Sequence, residues 1–165
     1  MTMDCTFHTD DGIFNYRVGA IIRKGSRFLL AYDPAAGIYY SVGGRVRMNE
    51  TLEEALKREV EEESGIRDFE FRLCAIHENF FDQVHEISIF FEVLNPEVFD
   101  SVCTGHLTQD GPGGEKLVWL ESEELSRPNV FPDFLSRMDF SESGGAVAHF
   151  ITRKESSAGM EEENS

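Results

Sequence analysis

The sequence predicts an α/β domain in which a mixed β-sheet is sandwiched by helices. Short runs rich in β-branched and aromatic residues recur along the chain. One segment between them, residues 51–65, instead places apolar side chains at helical spacing. Strand and helix also alternate without the regular βαβ rhythm of a doubly wound parallel sheet. A length of 165 residues suits one domain, and a hydrophobic content of 41% is ordinary for a globular core. Residues 1–154 read as that domain, and 155–165, where glutamates lie among Ser, Ala and Gly, as a disordered acidic tail.

The elements follow in order. Tyr16 to Ile22 and Arg27 to Tyr32 flank Lys24-Gly25-Ser26 and predict a hairpin. Asp33 to Gly37 is a turn, and Ile38 to Val42 a short strand. After the helix, Phe69 to Phe81 and His85 to Val93 read as two longer strands around Asp82-Gln83. In the second, Ile87, Ile89 and Phe91 alternate with Glu86, Ser88 and Phe90, which predicts one buried face. Asn95 to Gly114 reads as a long loop, Lys116 to Leu120 as a strand and Glu121 to Leu125 as a helical turn. Asn129 to Met138 is expected to form a second helix with Pro132 in its first turn, and Ala146 to Ile151 a last strand.

The helix of residues 51–65 carries the chemistry. Thr51 and Glu54 form a capping-box pair, and Gly65 is a left-handed stop. Leu52, Ala55, Leu56 and Val60 define the core-facing stripe. At about 100° per residue, Glu59 and Glu63 fall within roughly 20–30° of the centre of that stripe. Glu62 lies on its edge, and Glu53, Glu54, Lys57 and Glu61 take the opposite face. A carboxylate at a buried position is costly unless it is paired or binds a metal. Glu59 and Glu63 are also one turn apart, in the last turns of the helix, where the dipole is already negative. A hard divalent cation with oxygen ligands resolves the conflict, and magnesium, content with a few carboxylates and several waters, is the default.

Gly44, five residues, Glu50, seven residues, then Arg58-Glu59-Val60-Glu61-Glu62-Glu63-Ser64-Gly65-Ile66 fills every fixed position of one signature. The pattern resembles the Nudix box of the MutT-like pyrophosphohydrolases. The resemblance implies an α/β/α sandwich and a magnesium-dependent hydrolase. Its expected reaction cleaves the diphosphate linkage of a nucleoside diphosphate derivative, either a nucleoside triphosphate or a nucleotide linked to another group. It implies Glu59, Glu63, Glu62 and the Gly44 carbonyl as metal ligands, with manganese able to replace magnesium. It also implies that Arg58 orients the box acids and that Glu50 supports the metal site or its loop. Glu62 is a metal ligand or the base that takes a proton from the attacking water. Glu115 is a second candidate base, ahead of Glu86 and Glu78.

Arg45 and Arg47, beside Gly44, either touch substrate phosphates or offset nearby acids. His77-Glu78 and His85-Glu86 lack the second histidine of a zinc-protease motif and read first as strand residues. Tyr39, Tyr40, Phe80 and Phe81 could stack on a base, but read first as core. Sequence signals outside the box specify no substrate. An eroded box would instead suggest a non-catalytic nucleotide-binding or regulatory module on the same fold, and this box is intact.

A formal charge of −16 argues against binding a nucleic acid polymer and for a small-molecule partner reached through cations. The apolar runs are too short for a membrane span, and the polar N-terminus is unlike a signal peptide. Cys5, Cys74 and Cys103 read as free thiols, which points to the cytoplasm. A homodimer is compatible with the family resemblance.

Overall fold

The computed structural model describes residues 2–102, 116–140 and 145–154. Among the described residues, nine strands form one mixed sheet. Strand β1 (Thr6–Thr9) folds back on β2 (Gly12–Lys24), followed by β3 (Arg27–Asp33) and β4 (Ile38–Arg45). Helix α1 (Leu52–Ser64) then leads to β5 (Phe71–Phe81) and β6 (Val84–Val93). Strands β7 (Lys116–Glu121), β8 (Val130–Phe131) and β9 (Ala148–Arg153) complete the sheet.

The long strand β2 is the spine. One edge pairs in parallel with β6 from Ile13 to Ile21, and the other is shared by β1, β4 and β3. Beyond β6 come antiparallel β5 and then parallel β9; beyond β3 comes antiparallel β7. Parallel and antiparallel pairs thus mix, as the irregular element rhythm predicts.

The capping box forms as expected. Thr51 Oγ1 accepts from the Glu54 amide at 3.1 Å, and the Glu54 carboxylate accepts from the Thr51 amide at 2.8 Å. Gly65 ends the helix at φ 77°, with its amide on the Glu61 carbonyl. Thr51→Ala removes one of these bonds and is expected to cost about 1 kcal/mol, read as a lower denaturant midpoint at unchanged m-value.

Each face of the sheet carries its own core. Ala55, Leu56 and Val60 of α1 pack on Val18, Val42, Ile89 and Phe91. Phe99, from a 3-10 turn at Pro96–Phe99, is fully buried in this cluster. On the opposite face, Phe134 is fully buried among Phe90, Leu125 and Phe150, stacked on Phe150 at 4.3 Å between ring centres.

The second helix expected over Asn129–Met138 does not form. Val130 and Phe131 instead pair in parallel with β4, and Asp133–Ser136 is a single 3-10 turn. Proline explains the difference. Pro132 lacks an amide proton, biases Phe131 toward extended geometry, and itself sits at φ −70°, ψ 150°. Among the described residues one long helix therefore flanks the sheet, and 3-10 turns at Ser122–Ser126 and Asp133–Ser136 cover the other face in place of the second layer of a full α/β/α sandwich.

Candidate active site

The box acids are gathered around one guanidinium. Arg58 donates from Nε to Glu50 Oε1 at 2.6 Å and from Nη2 to Glu50 Oε2 at 2.9 Å, a two-pronged fork. Its Nη1 donates to Glu59 Oε1 at 2.6 Å, and Nη2 also reaches the Arg45 carbonyl at 3.0 Å. The three side chains are only 15–18% exposed. A single arginine thus ties α1 to the loop preceding it and to the end of β4. Glu62, at 39% exposure, lies farther out, 3.5 Å from Arg58 and 3.9 Å from Arg47.

Gly44 faces this cluster without a side chain, and a Cβ there would overlap the Glu59 carboxylate. Glycine is required for that close approach. Its neighbour Gly43, at φ 155°, leaves no room for a Cβ against the Val18 carbonyl.

The two acids that share Arg58 are driven in opposite directions. The Arg58 hydrogen bonds hold Glu50 below the ordinary carboxylate range, against its own desolvation. Burial pushes Glu59 up, more strongly than Arg58 pulls it down. Arg58 itself is shifted up by its bond to Glu50, so it stays charged.

Among the described residues, no three His, Cys, Asp or Glu side chains converge into a ready-made metal cage. Magnesium does not require one, because it takes one or two carboxylates and completes its shell with water and substrate phosphate. The donor set fits such an ion: it offers hard oxygens, a bare backbone seat at Gly44, and a Glu59 charge that Arg58 compensates only in part.

A cavity of about 450 Å³ opens beside the box on the sheet face opposite α1, within the usual size range of small-molecule sites. Glu63 and Gly43 line its box end. Its floor is a polar patch where strand register aligns Arg17 of β2, Ser88 of β6 and His77 of β5. The next row holds Glu86, Asn79 and Thr152. The Asn79 Oδ1 atom is buried and has no hydrogen-bond partner among the described residues.

His77 is held neutral in this floor. Thr152 Oγ1 donates to Asp133 Oδ1 at 3.0 Å, so it accepts from His77 Nε2 at 2.9 Å. Burial lowers the His77 pKa below 6.5; Asp133 partly opposes this, and Arg137 reinforces it. The unfolded chain therefore takes up this proton first as pH falls. The stabilisation is complete above 6.5 and declines as pH drops toward the folded-state pKa. Melting temperatures between about pH 7.5 and 5.5 should show this decline in the wild type and a flatter profile in His77→Gln.

The structure brings Gly44, Glu50, Arg58 and Glu59 into one contact network, with Glu62 at its edge and Glu63 on the cavity wall. Arg45 is exposed and Arg47 points to Asp4 and Glu62, so neither lines the cavity. Glu115 lies outside the described residues. His77 and Glu86, read from the sequence first as strand residues, line the cavity, as do Arg17, Ser88, Asn79 and Thr152. Tyr40 lines it too while packing on the helix-side core. One signal was available in the sequence: Glu86 and Ser88 place polar side chains on the strand face that Phe90 shares, opposite Ile87, Ile89 and Phe91.

The model of the NUDIX domain family matches residues 14–137. The NAD-capped RNA hydrolase NudC of Haemophilus influenzae is 46% identical over 50 residues, which span 27% of this chain and 19% of that protein. The CTP pyrophosphohydrolase of Escherichia coli is 30% identical over 119 residues, covering 70% of this chain and 82% of that protein. The solution structure of the E. coli ORF135 protein superposes with a TM-score of 0.53 at 27% identity, covering 74% of this chain and 84% of that one. With its box complete and Glu50 and Glu59 held by Arg58, the chain belongs to the Nudix, MutT-like family of hydrolases, which act on phosphoanhydride bonds.

Proposed function

We propose that this Nudix pyrophosphohydrolase cleaves, with magnesium, the diphosphate linkage of a nucleoside diphosphate derivative. A nucleoside triphosphate or a nucleotide joined to another group meets that description. The observation that carries the reading is the placement of the box at the mouth of the cavity: Glu63 lines the same cavity as the polar floor. The likeness to a CTP pyrophosphohydrolase supports a nucleoside triphosphate in particular.

Glu59 and Glu63, with Glu62 and the Gly44 carbonyl, would hold magnesium, and manganese would suit the same oxygens. When bound, the cation neutralises phosphate charge and acidifies a water. Arg58 holds Glu59 in place and opposes the effect of its burial, while Glu50 fixes Arg58 through its fork. Glu62, the most exposed of these acids, supplies a further ligand oxygen or accepts the proton of the attacking water. Arg47, close to Glu62, and Arg45 add positive charge at the outer rim for the departing phosphates. Glu115 stands as the alternative base. On the floor, the bare Asn79 Oδ1 atom and the Glu86 carboxylate offer acceptors for the amino groups of a nucleobase.

Phosphate or pyrophosphate release should be measured over nucleoside triphosphates, dinucleotides and nucleotide sugars with magnesium. Turnover of at least one class, abolished by chelator, is the expected result. A folded protein that binds nucleotides but cleaves none of them would overturn the reading.

A further inference from the structure

Among the described residues, Arg17 is the arginine on the cavity wall, and its guanidinium has no hydrogen-bond partner. Other cations of this acidic chain are engaged: Arg58 with Glu50 and Glu59, Arg67 with Glu61, Arg72 with Glu92, Arg127 with Glu124. Lys154, the other cation lining the cavity, lies over the Phe131 ring at 5.1 Å. The Arg17 guanidinium makes no hydrogen bond, ion pair or ring contact among the described residues, although the residue is half-buried in the central strand of the sheet. A half-buried guanidinium that no side chain hydrogen-bonds, with only the through-space attraction of Glu59, recovers part of its desolvation cost, and an anion would offset the rest.

Its position specifies the anion. Tyr16 and Val18 pack toward α1, so alternation turns Arg17 to the cavity side. Across the sheet it lies between β4, which bears the box glycines, and β6 and β5, which bear Ser88 and His77. On the box side it is close enough to Glu59 for the two charges to attract. A substrate with its diphosphate at the box and its nucleoside on the polar floor must pass its first phosphate over Arg17.

We propose that Arg17 grips the phosphate that joins the nucleoside to the rest of the substrate, and so also binds the nucleoside monophosphate product. The assignment rests on the proposed nucleotide substrate. The fork geometry of guanidinium suits two phosphate oxygens, which an ammonium group cannot match.

The test is calorimetric titration of the full chain in chelator with AMP, CMP, GMP and UMP, and with the four matching nucleosides. The best-bound monophosphate should lose roughly ten- to hundred-fold in affinity in Arg17→Met, with partial recovery in Arg17→Lys. Affinity for the nucleoside should stay within about twofold, because that contact does not involve Arg17 directly. In the unmutated protein, the Arg17 Nε–H resonance should shift with the monophosphate and not with its nucleoside, a readout independent of the variants' folding. Equal monophosphate affinity in Arg17→Met, a parallel loss of nucleoside binding, or an Arg17 resonance indifferent to phosphate would overturn the assignment. If the unmutated enzyme still cleaves nucleotides with magnesium, only the role of Arg17 falls. If it cleaves none, the underlying substrate reading falls with it.

Discussion

Glu63→Gln is expected to reduce turnover with magnesium at least about 100-fold, on the scale of losing one aligned charge at a phosphoryl-type transition state. Glutamine keeps the shape and the helix propensity, so the substitution removes charge and little else. Glu63 is the informative position because it lines the cavity where substrate phosphates would arrive. Glu61, two residues earlier, serves as the internal control. It pairs with exposed Arg67 on the outer surface, and Glu61→Gln should leave turnover within about twofold. Manganese uptake followed by electron paramagnetic resonance should weaken in Glu63→Gln and persist in Glu61→Gln. Equal turnover in the two variants would remove Glu63 from the site.

The second large effect falls on stability. Arg58→Met should cost about 3 kcal/mol or more, since it strands the Glu50 and Glu59 carboxylates, both mostly sheltered from water. Arg58→Lys should fall between, retaining the charge and losing the fork. The pH dependence of the deficit has a sign. The Glu50 carboxyl titrates below its ordinary 4.5 in the folded state, so its pairing stabilises above that value and is lost as pH falls through the lowered pKa. Denaturation curves of wild type and Arg58→Met should therefore converge in acid. A deficit below about 0.5 kcal/mol at neutral pH would mean that the cluster is solvated like an ordinary surface ion pair.

The local part of this molecule is written plainly in its sequence. Thr51, Glu54 and Gly65 specify where α1 begins and ends, and Lys24-Gly25-Ser26 specifies the β2–β3 reversal. The helical projection also places Glu59 and Glu63 near the core-facing stripe, and both are indeed partly withdrawn from solvent. What could not be read locally depends on neighbours distant in sequence. The alternation of Glu86 and Ser88 with Ile87 and Ile89 suggests a wet face, yet Ser88 is buried because β2, β5 and the Phe131–Asp133 segment enclose it. Arg17 lies in a short stretch of strand whose own pattern gives no hint of a cavity. Strand β1 was hidden for a similar reason: its polar residues are exposed, and only its pairing with β2 defines it. At Asn129–Met138 the apolar spacing suits a helix, but Pro132 decides the backbone.

The glycine pair at the end of β4 has a consequence for how such an enzyme can change. Bare backbone there lets acids anchored on one side of the sheet meet a pocket floored on the other, so that under the proposed function cleavage and recognition would be built from separate strands and helices. On that proposal, exchanges at Asn79, Glu86 or Thr152 would retune which compound is admitted while the cutting apparatus stays intact. A side chain at Gly44 would do the reverse, disabling the blade and sparing the grip.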